Sequence, residues 1–401
     1  MIVGAGEGFG SPSTYPMLSQ MPCIYYTCGP ARFLLAQSLR KLSPHRIFKA
    51  TMLRNLFVLA ACALPLAAEI ARADTSPIPA ADYKVARSWK VGGTNGWDFL
   101  ALEGSGGRLF VTREERVDVI ETVSGKLVGT IPHTGGVHGV AFAPALKRGF
   151  TSNGRTNTVS VFELDTLHVI QEVPVSGTSP DAILYEPQQN HIITANRESS
   201  NLTVIDAGTL QVVATVPLPG PPEFMATDEA GHVYVNIDSA PGRLVLIDAK
   251  SLAVKARWPL KECANPTGLA FDVTNHRLFS VCANQVMAVT DSVSGKSIAQ
   301  VIIGRGSDGA VYDPELGLVF SSNGIDGTLT VIHQDSPDEY RVIATVTTQV
   351  SARTMELDPA THKIYMAAAQ FGPPPAATDE QPRPHATVVP DSFLILIAQP
   401  K

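Results

Sequence analysis

From about residue 97 onward, apolar and polar positions alternate in short runs broken by Gly, Pro, Asn and Asp. Period-two alternation in short runs bounded by turn formers predicts strands rather than helices. The runs also recur as a set. SPDAILYEPQQNHIITANRESSNLTVIDAGTLQVVATVPLPG from Ser179, PPEFMATDEAGHVYVNIDSAPGRLVLIDAKSLAVKARWPL from Pro221 and NPTGLAFDVTNHRLFSVCANQVMAVTDSVSGKSIAQVIIG from Asn265 lie over one another run for run. Each reads as four strands in a meander, and such a unit every 40 to 45 residues or so predicts a propeller blade.

One aligned position near the start of each first strand counts the copies. Asp98, His138, Asp181, Glu223, Thr267, Asp308 and Thr354 occupy it, at steps of 40, 43, 42, 44, 41 and 46 residues. The expectation is an all-β, seven-bladed β-propeller with four-stranded antiparallel blades. Its last copy, from Ser351 to Gln399, supplies only three strands, which would leave an open edge prone to aggregation. Lys84 to Val91 (KVARSWKV) resembles the fourth strand of the other copies, so this N-terminal strand is expected to complete the last blade and close the ring. Residues 74–401 are read as a single domain, because a propeller grows by adding blades packed on their neighbours.

The N-terminal region has a different pattern. From Met52, MLRNLFVLAACALPLAA has a basic start and an apolar stretch, and Ala71-Arg-Ala73 places small residues where signal peptidase needs them. Residues 52–73 are therefore expected to be a secretory signal peptide cleaved after Ala73, leaving a periplasmic or secreted chain. The apolar core is too short to span a bilayer. An alternative takes Leu59-Ala-Ala-Cys62 as a lipoprotein box with the anchor on Cys62. Residues 1–51 fit neither the signal nor the fold and are read as a mis-assigned upstream extension, with Met52 as the true start. The Gly-rich opening from Val3 to Gly10 lacks the strand, helix and βαβ context of a dinucleotide loop.

Charge changes the picture once that segment is set aside. Residues 1–73 hold seven Lys or Arg and two Asp or Glu, so the total of 31 basic and 37 acidic residues falls to 24 and 35, a net of −11. An acidic body repels nucleic acid and acidic membranes unless a local basic patch intervenes. Of the 5 cysteines only Cys263 and Cys282 remain. Both map to one face of one blade, where an oxidising compartment favours a disulfide; two unpaired thiols are the alternative.

Chemistry, if present, belongs at the mouth of the central channel. The seven aligned positions form one expected ring there. The ends of second strands supply another, Arg113, Asn153, Asn196, Asn236 and Asn323, with Arg353 beside the last copy. Converging carboxylates, amides and imidazole suit a cation or a sugar-like or lactone ligand. A polar, solvated funnel without chemistry is the plainer reading of the same residues. His138, Glu223 and Asp181 are the candidates for catalysis, though no Ser or Cys stands in a recognisable nucleophile setting. No HExxH, CxxCH, GxSxG or paired His spacing is present. No cofactor is therefore expected beyond a divalent cation such as calcium shared by Asp98, Asp181, Glu223 and Asp308. The Pro-rich stretch 370–391 reads as an extended excursion on the same face, either a lid, a docking arm or an ornamental insertion.

The core phrase, Leu202-Thr-Val-Ile-Asp206 and Leu244-Val-Leu-Ile-Asp248, with Val212 to Leu218 (VVATVPL) after the first, resembles the YVTN β-propeller repeat. From about Tyr83 onward the chain is similar to the YncE-like secreted propellers, including Gln381-Pro-Arg-Pro384 before a closing Ser-Phe-x-x-Leu-Ile strand. The resemblance implies a seven-bladed periplasmic protein whose relatives have mostly undefined roles, with nucleic-acid binding proposed for some. Neighbouring groups include lactonases and electron-transfer subunits of amine dehydrogenases, but no haem, quinone or copper motif places this chain with the latter. Three readings follow. The first is a ligand-binding or protein-interaction module acting through the loop face. The second is a lactonase-type hydrolase using channel carboxylates and His138. The third is nucleic-acid binding through Arg113, Arg155 and Arg197.

Overall fold

The computed structural model describes residues 82–104, 107–374 and 386–401. The expected upstream extension 1–51, the expected signal segment 52–73 with Cys62, and the tip of the Pro-rich stretch, 375–385, lie outside the described residues. The described residues all fall within one compact unit. Among the described residues the regular structure is β throughout apart from one 3-10 turn, Pro144–Leu146. No helix there is long and apolar enough to cross a membrane.

The strands form antiparallel sheets in a ring, a β-propeller, but the sequence count of its blades is corrected. Among the described residues there are six sheets, not seven: five have four strands and one has six. The six-stranded sheet contains the first two sequence copies. In the second copy's successor, four residues separate Asn196 from Asn201 at the hairpin, whereas in the first copy only two separate Arg113 from Arg116. With so short a turn, the strand Arg108–Glu121 runs on through the hairpin, and the following strand, Leu127–Ala143, is likewise unbroken. Glu114 pairs with Val137, bridging what the repeat pattern separates, and the second half of Leu127–Ala143 pairs onward with Arg148–Asn153. Tyr83–Lys90 pairs antiparallel with Leu394–Pro400, from Tyr83↔Pro400 to Lys90↔Leu394, as the fourth strand of the last sheet.

Each meander buries its middle strands and exposes its outermost one. His191–Ile193 and their neighbours through Asn196 are mostly buried, while in Val169–Pro174 only Val173 is. Apolar side chains of adjacent sheets interlock. Tyr83 of the closing strand meets Phe320 of the preceding sheet edge to face at 4.9 Å, and its hydroxyl donates to His362 O. Phe320 is fully buried, which stabilises by about 2 to 3 kcal/mol relative to exposure.

The recurrent Ile-Asp of the repeats has a local cause. Asp206 accepts from the N–H groups of Gly208 and Thr209, Asp248 from Ser251, and Asp291 from Val293 and Ser294. These are Asx turns, in which the carboxylate satisfies backbone donors where the chain reverses. Those bonds hold the Asp206 and Asp248 carboxyls below the ordinary range. The Asp is therefore a turn former.

Cys263 and Cys282, both buried, are joined by a disulfide with Cα atoms 5.5 Å apart.

Candidate functional site

The first strands carry a repeated irregularity at the channel mouth. Register shifts fall between Val137 and Val140, Pro180 and Ile183, Pro222 and Met225, Pro266 and Leu269, and Ser307 and Ala310. His138, Asp181, Glu223, Thr267 and Asp308 each lie inside one of these bulges. A bulge re-aims its side chain out of the alternating pattern, which is how a strand can present a polar group at the mouth.

Four of the seven aligned residues are in electrostatic contact. His138 Nδ1 lies 2.6 Å from Asp98 Oδ2 and 3.6 Å from Asp181 Oδ1. Arg353 reaches across with Nη2 3.7 Å from Asp98 Oδ1 and Nε 3.4 Å from Asp308 Oδ2, and it donates to Trp97 O. Gly154 backs the imidazole so closely that an added Cβ would lie 2.7 Å from His138 Nε2 and would push the ring from its place beside Asp98. The other three residues are engaged elsewhere. Glu223 pairs with Arg197, which also binds Asp238 Oδ2 at 2.6 Å. Thr267 Oγ1 donates to Ser307 O at 3.1 Å, and Thr354 Oγ1 to Asp98 O at 2.7 Å, tying neighbouring first strands together.

Burial among like charges shifts these groups. Enclosure by the ring wall pushes Asp308 up to about 7, with Asp98 and Asp181 adding to the rise and Arg353 opposing it. Asp181 is raised for the same leading reason, again with Asp98 adding and His138 opposing. For His138, burial disfavours the cation, but the bond to Asp98 and the charges of Asp181 and Asp98 outweigh it and raise its pKa. Asp308 keeps about a quarter of its side chain exposed, 27%. That exposure is to the mouth, so water there moderates the shift.

Asp98, His138 and Asp181 each place one donor atom within 4.8 Å of the other two. The expected calcium set of Asp98, Asp181, Glu223 and Asp308 is not the set that converges, since Glu223 and Asp308 face arginines. Two carboxylates and one imidazole suit zinc or a first-row transition metal better than calcium, which takes six or more oxygen ligands.

The second expected ring does not face the mouth. Arg113, Asn153, Asn196, Asn236 and Asn323 are all 0% exposed. Asn196 Nδ2 donates to Asn201 Oδ1 and Thr203 Oγ1, and its Oδ1 accepts from Thr194 Oγ1. Asn153 repeats this with Thr158, Ser160 and Thr151, and Asn323 with Thr328, Thr330 and Ser321. These amides staple hairpins. Asn236 is displaced by one residue from that register, because Pro222 pairs with Ile237 where Pro180 pairs with Asn196. It therefore points to the neighbouring sheet and donates to Thr267 O at 2.9 Å, as Ser152 and Ser322 donate to Asp181 O and Arg353 O. Arg113 holds the segment before Trp97 by donating to Gly92 O, Asn95 O and Gly96 O, and stacks 3.7 Å over Phe393. Burial lowers its pKa to about 10, against the pull of Asp118.

The basic patch invoked for nucleic acid is neutralised. Arg113 is buried, Arg155 pairs with Glu115, and Arg197 with Glu223 and Asp238.

Above the converging charges lies a cavity of about 740 Å3, with Asp98, His138, Asp308 and Arg353 among its polar lining. Apolar groups complete it: Trp97, Ile325 and Val350, none of them singled out from the sequence, and Phe371 from the Pro-rich stretch 370–391. Ile325, Val350 and Phe371 are 62%, 64% and 47% exposed, an unusual rim for a solvated funnel. Phe371 belongs to the stem of the Pro-rich stretch, bridged to Val388 and packed 5.8 Å from Trp97.

The fold and this mouth define a β-propeller. No family model matches the chain, and no curated protein does. Solved structures show the same architecture. Hydrazine synthase of Kuenenia stuttgartiensis is 17% identical with a TM-score of 0.62, covering 68% of this chain and 92% of that one. The RRP9 WD40 repeats give 8% identity and 0.66 over 80% of this chain and 98% of that one, and U3-55K gives 8% and 0.64 over 79% and 98%. Such identities establish the fold alone.

Proposed function

We propose that this chain is an exported, YncE-like propeller that acts as a binding module, taking a small ligand or a protein partner's side chain in the mouth cavity. The observation that carries the reading is the meeting of a charged floor, Asp98, His138, Asp308 and Arg353, with an exposed apolar rim, Ile325, Val350 and Phe371, in one space of about 740 Å3. That volume lies in the range of small-molecule pockets, and an apolar wall with a few convergent polar groups is their usual composition. The ligand carries a polar or charged head and an apolar flank. Support for export comes from the signal-like residues 52–73 and from the Cys263–Cys282 disulfide, a bond at home in oxidising compartments.

The test is a calorimetric and thermal-shift screen of the purified protein against small metabolites, with pull-down from extract. It is run alongside Arg353→Gln and Phe371→Ala. Loss of a hit in both variants supports the mouth; a hit retained equally by both rejects it.

A hydrolase is the second reading, favoured by the 2.6 Å Asp98–His138 pairing, which orients an imidazole as a general base would need. A lactone panel assayed with and without chelator decides it. Turnover abolished by His138→Gln supports hydrolysis, and rates at the buffer level reject it.

A further inference from the structure

Below the mouth the channel changes character. Phe99 and Phe224, the residues after Asp98 and Glu223, meet across it with ring centroids 4.5 Å apart. Beneath this pair lie a void of about 220 Å3, with Ile183, Met225, Val311 and Met355 in its wall, and a wider one of about 530 Å3, with Leu102, Phe271, Tyr312 and Leu357. The wider void is bounded also by Gly104, Pro314 and Pro359, which lie past the far ends of the first strands, opposite the mouth. The two voids share Ala310, Val311 and Glu356.

Glu356 is the anomaly in this lining. Apart from Tyr312 it is the only ionisable residue in either wall. The one hydrogen bond found for its carboxyl among the described residues comes from the N–H of Leu357 at 3.2 Å. Tyr312 is no partner, since its hydroxyl donates to Gln334 Oε1 at 2.7 Å and burial keeps it un-ionised. A carboxyl facing an apolar space without a counter-ion is costly unless something completes it.

We propose that the lower channel is a second binding site, for a small organic monocation of the alkylammonium type, with Glu356 as its counter-ion. One carboxylate among hydrocarbon walls cannot satisfy a divalent metal, which needs several oxygen ligands. It does match an ammonium head with an apolar tail, and the aromatic rings of Phe271 and Tyr312 in the wall suit a cation better than aliphatic groups would. The smaller void holds roughly seven water-sized volumes, enough for a short alkyl chain. Burial pushes Glu356 up to about 8, with water in the void moderating the rise because the residue is only partly buried, so near neutral pH the empty site favours the acid form. An ammonium ion entering as a cation then forms the ion pair and sends the carboxyl proton to solvent, one proton released per ligand bound.

The experiment is isothermal titration of the purified protein with n-butylammonium, with n-butanol as the uncharged control, in two buffers of different ionisation enthalpy at pH 7. The expected result is butylammonium binding at least tenfold tighter than butanol, with a buffer-dependent heat approaching one proton released. Glu356→Gln, nearly isosteric, is expected to remove the preference and the proton release. Asp98→Asn, at the mouth above the aromatic pair, is expected to change neither, which separates this site from the proposed function. Binding retained in Glu356→Gln, equal binding of butanol, or no heat with either probe overturns the proposal.

Discussion

Replacing Asn196 by Ala separates a staple from a ligand-binding residue. The amide makes three hydrogen bonds inside a hairpin with no exposed surface. Thr203 Oγ1 keeps other partners, Ser176 N and Ser176 Oγ, so it stays satisfied after the change. Thr194 Oγ1, fully buried, loses its acceptor. The two donated bonds lost, at about 1 kcal/mol each, plus about 1 to 2 kcal/mol for the third, whose Thr194 hydroxyl is left stranded, give a destabilisation of about 3 to 4 kcal/mol. Thr194→Val removes the stranded group, so Asn196→Ala with Thr194→Val should cost less than the sum of the singles by about 1 kcal/mol or more. Urea unfolding followed by far-UV circular dichroism measures both. A single-variant cost below about 1 kcal/mol, or strict additivity in the pair, refutes the staple, and ligand binding lost with stability unchanged would restore the residue to the mouth.

Deleting residues 82–91 removes the fourth strand of the last sheet, and thermal unfolding of the product should lose its cooperative transition. The Cys263–Cys282 bond, spanning 19 residues, should contribute about 3 kcal/mol through the unfolded chain, so Cys263→Ala with Cys282→Ala should lower the urea midpoint. Stability should fall as pH rises from about 5 to 9. Asp308 and Glu356 have folded pKa values raised to about 7 and about 8, so the unfolded chain releases their protons first, and their stabilisation, complete at low pH, is lost as pH climbs through those values. Glu356→Gln should flatten that slope by on the order of 2 kcal/mol, with cavity water limiting the shift, and calorimetric melting at the two ends of the range would show it. An equally steep slope in that variant would contradict the burial argument.

The repeat was legible because strand alternation and turn residues are local, and every copy carries them. The count of sheets was not, because it turns on whether Arg113-Glu-Glu-Arg116 ends a strand, and two residues of turn can be read either way until Glu114 is seen to pair with Val137. The mouth was half legible. Asp98, His138, Asp181 and Asp308 followed from spacing, and for His138, Asp181 and Asp308 the cause is a bulge that recurs in five of the first strands. The asparagines misled because a polar residue at a strand end reads the same whether it faces solvent or a neighbouring hairpin. The telling signal was the Thr or Ser two residues before Asn153, Asn196 and Asn323, and the Ser or Thr seven after, the bonding partners themselves. In the Asn236 copy the interval from the aligned first-strand residue is 13 residues, against 15 for the other three, which marks it as lying outside that register. Trp97, Ile325 and Val350 carried no such mark, being apolar residues whose place at the mouth depends on loops packed from afar, whereas Phe371 was marked only through the Pro-rich stretch it belongs to.

The pairing of Tyr83 with Pro400 has a bearing on how the chain is made. Its two partners are among the first and the last residues of the body to leave the ribosome. At about 5 to 20 residues per second, the early strand waits on the order of 15 to 60 seconds for its neighbour. During that interval the sheets already synthesised have one unsatisfied flank, and Tyr83, Val85 and Trp89 have no apolar surface to cover. A partner that shields such a strand until its neighbour is made would serve this protein more than any gain in the strength of its finished core.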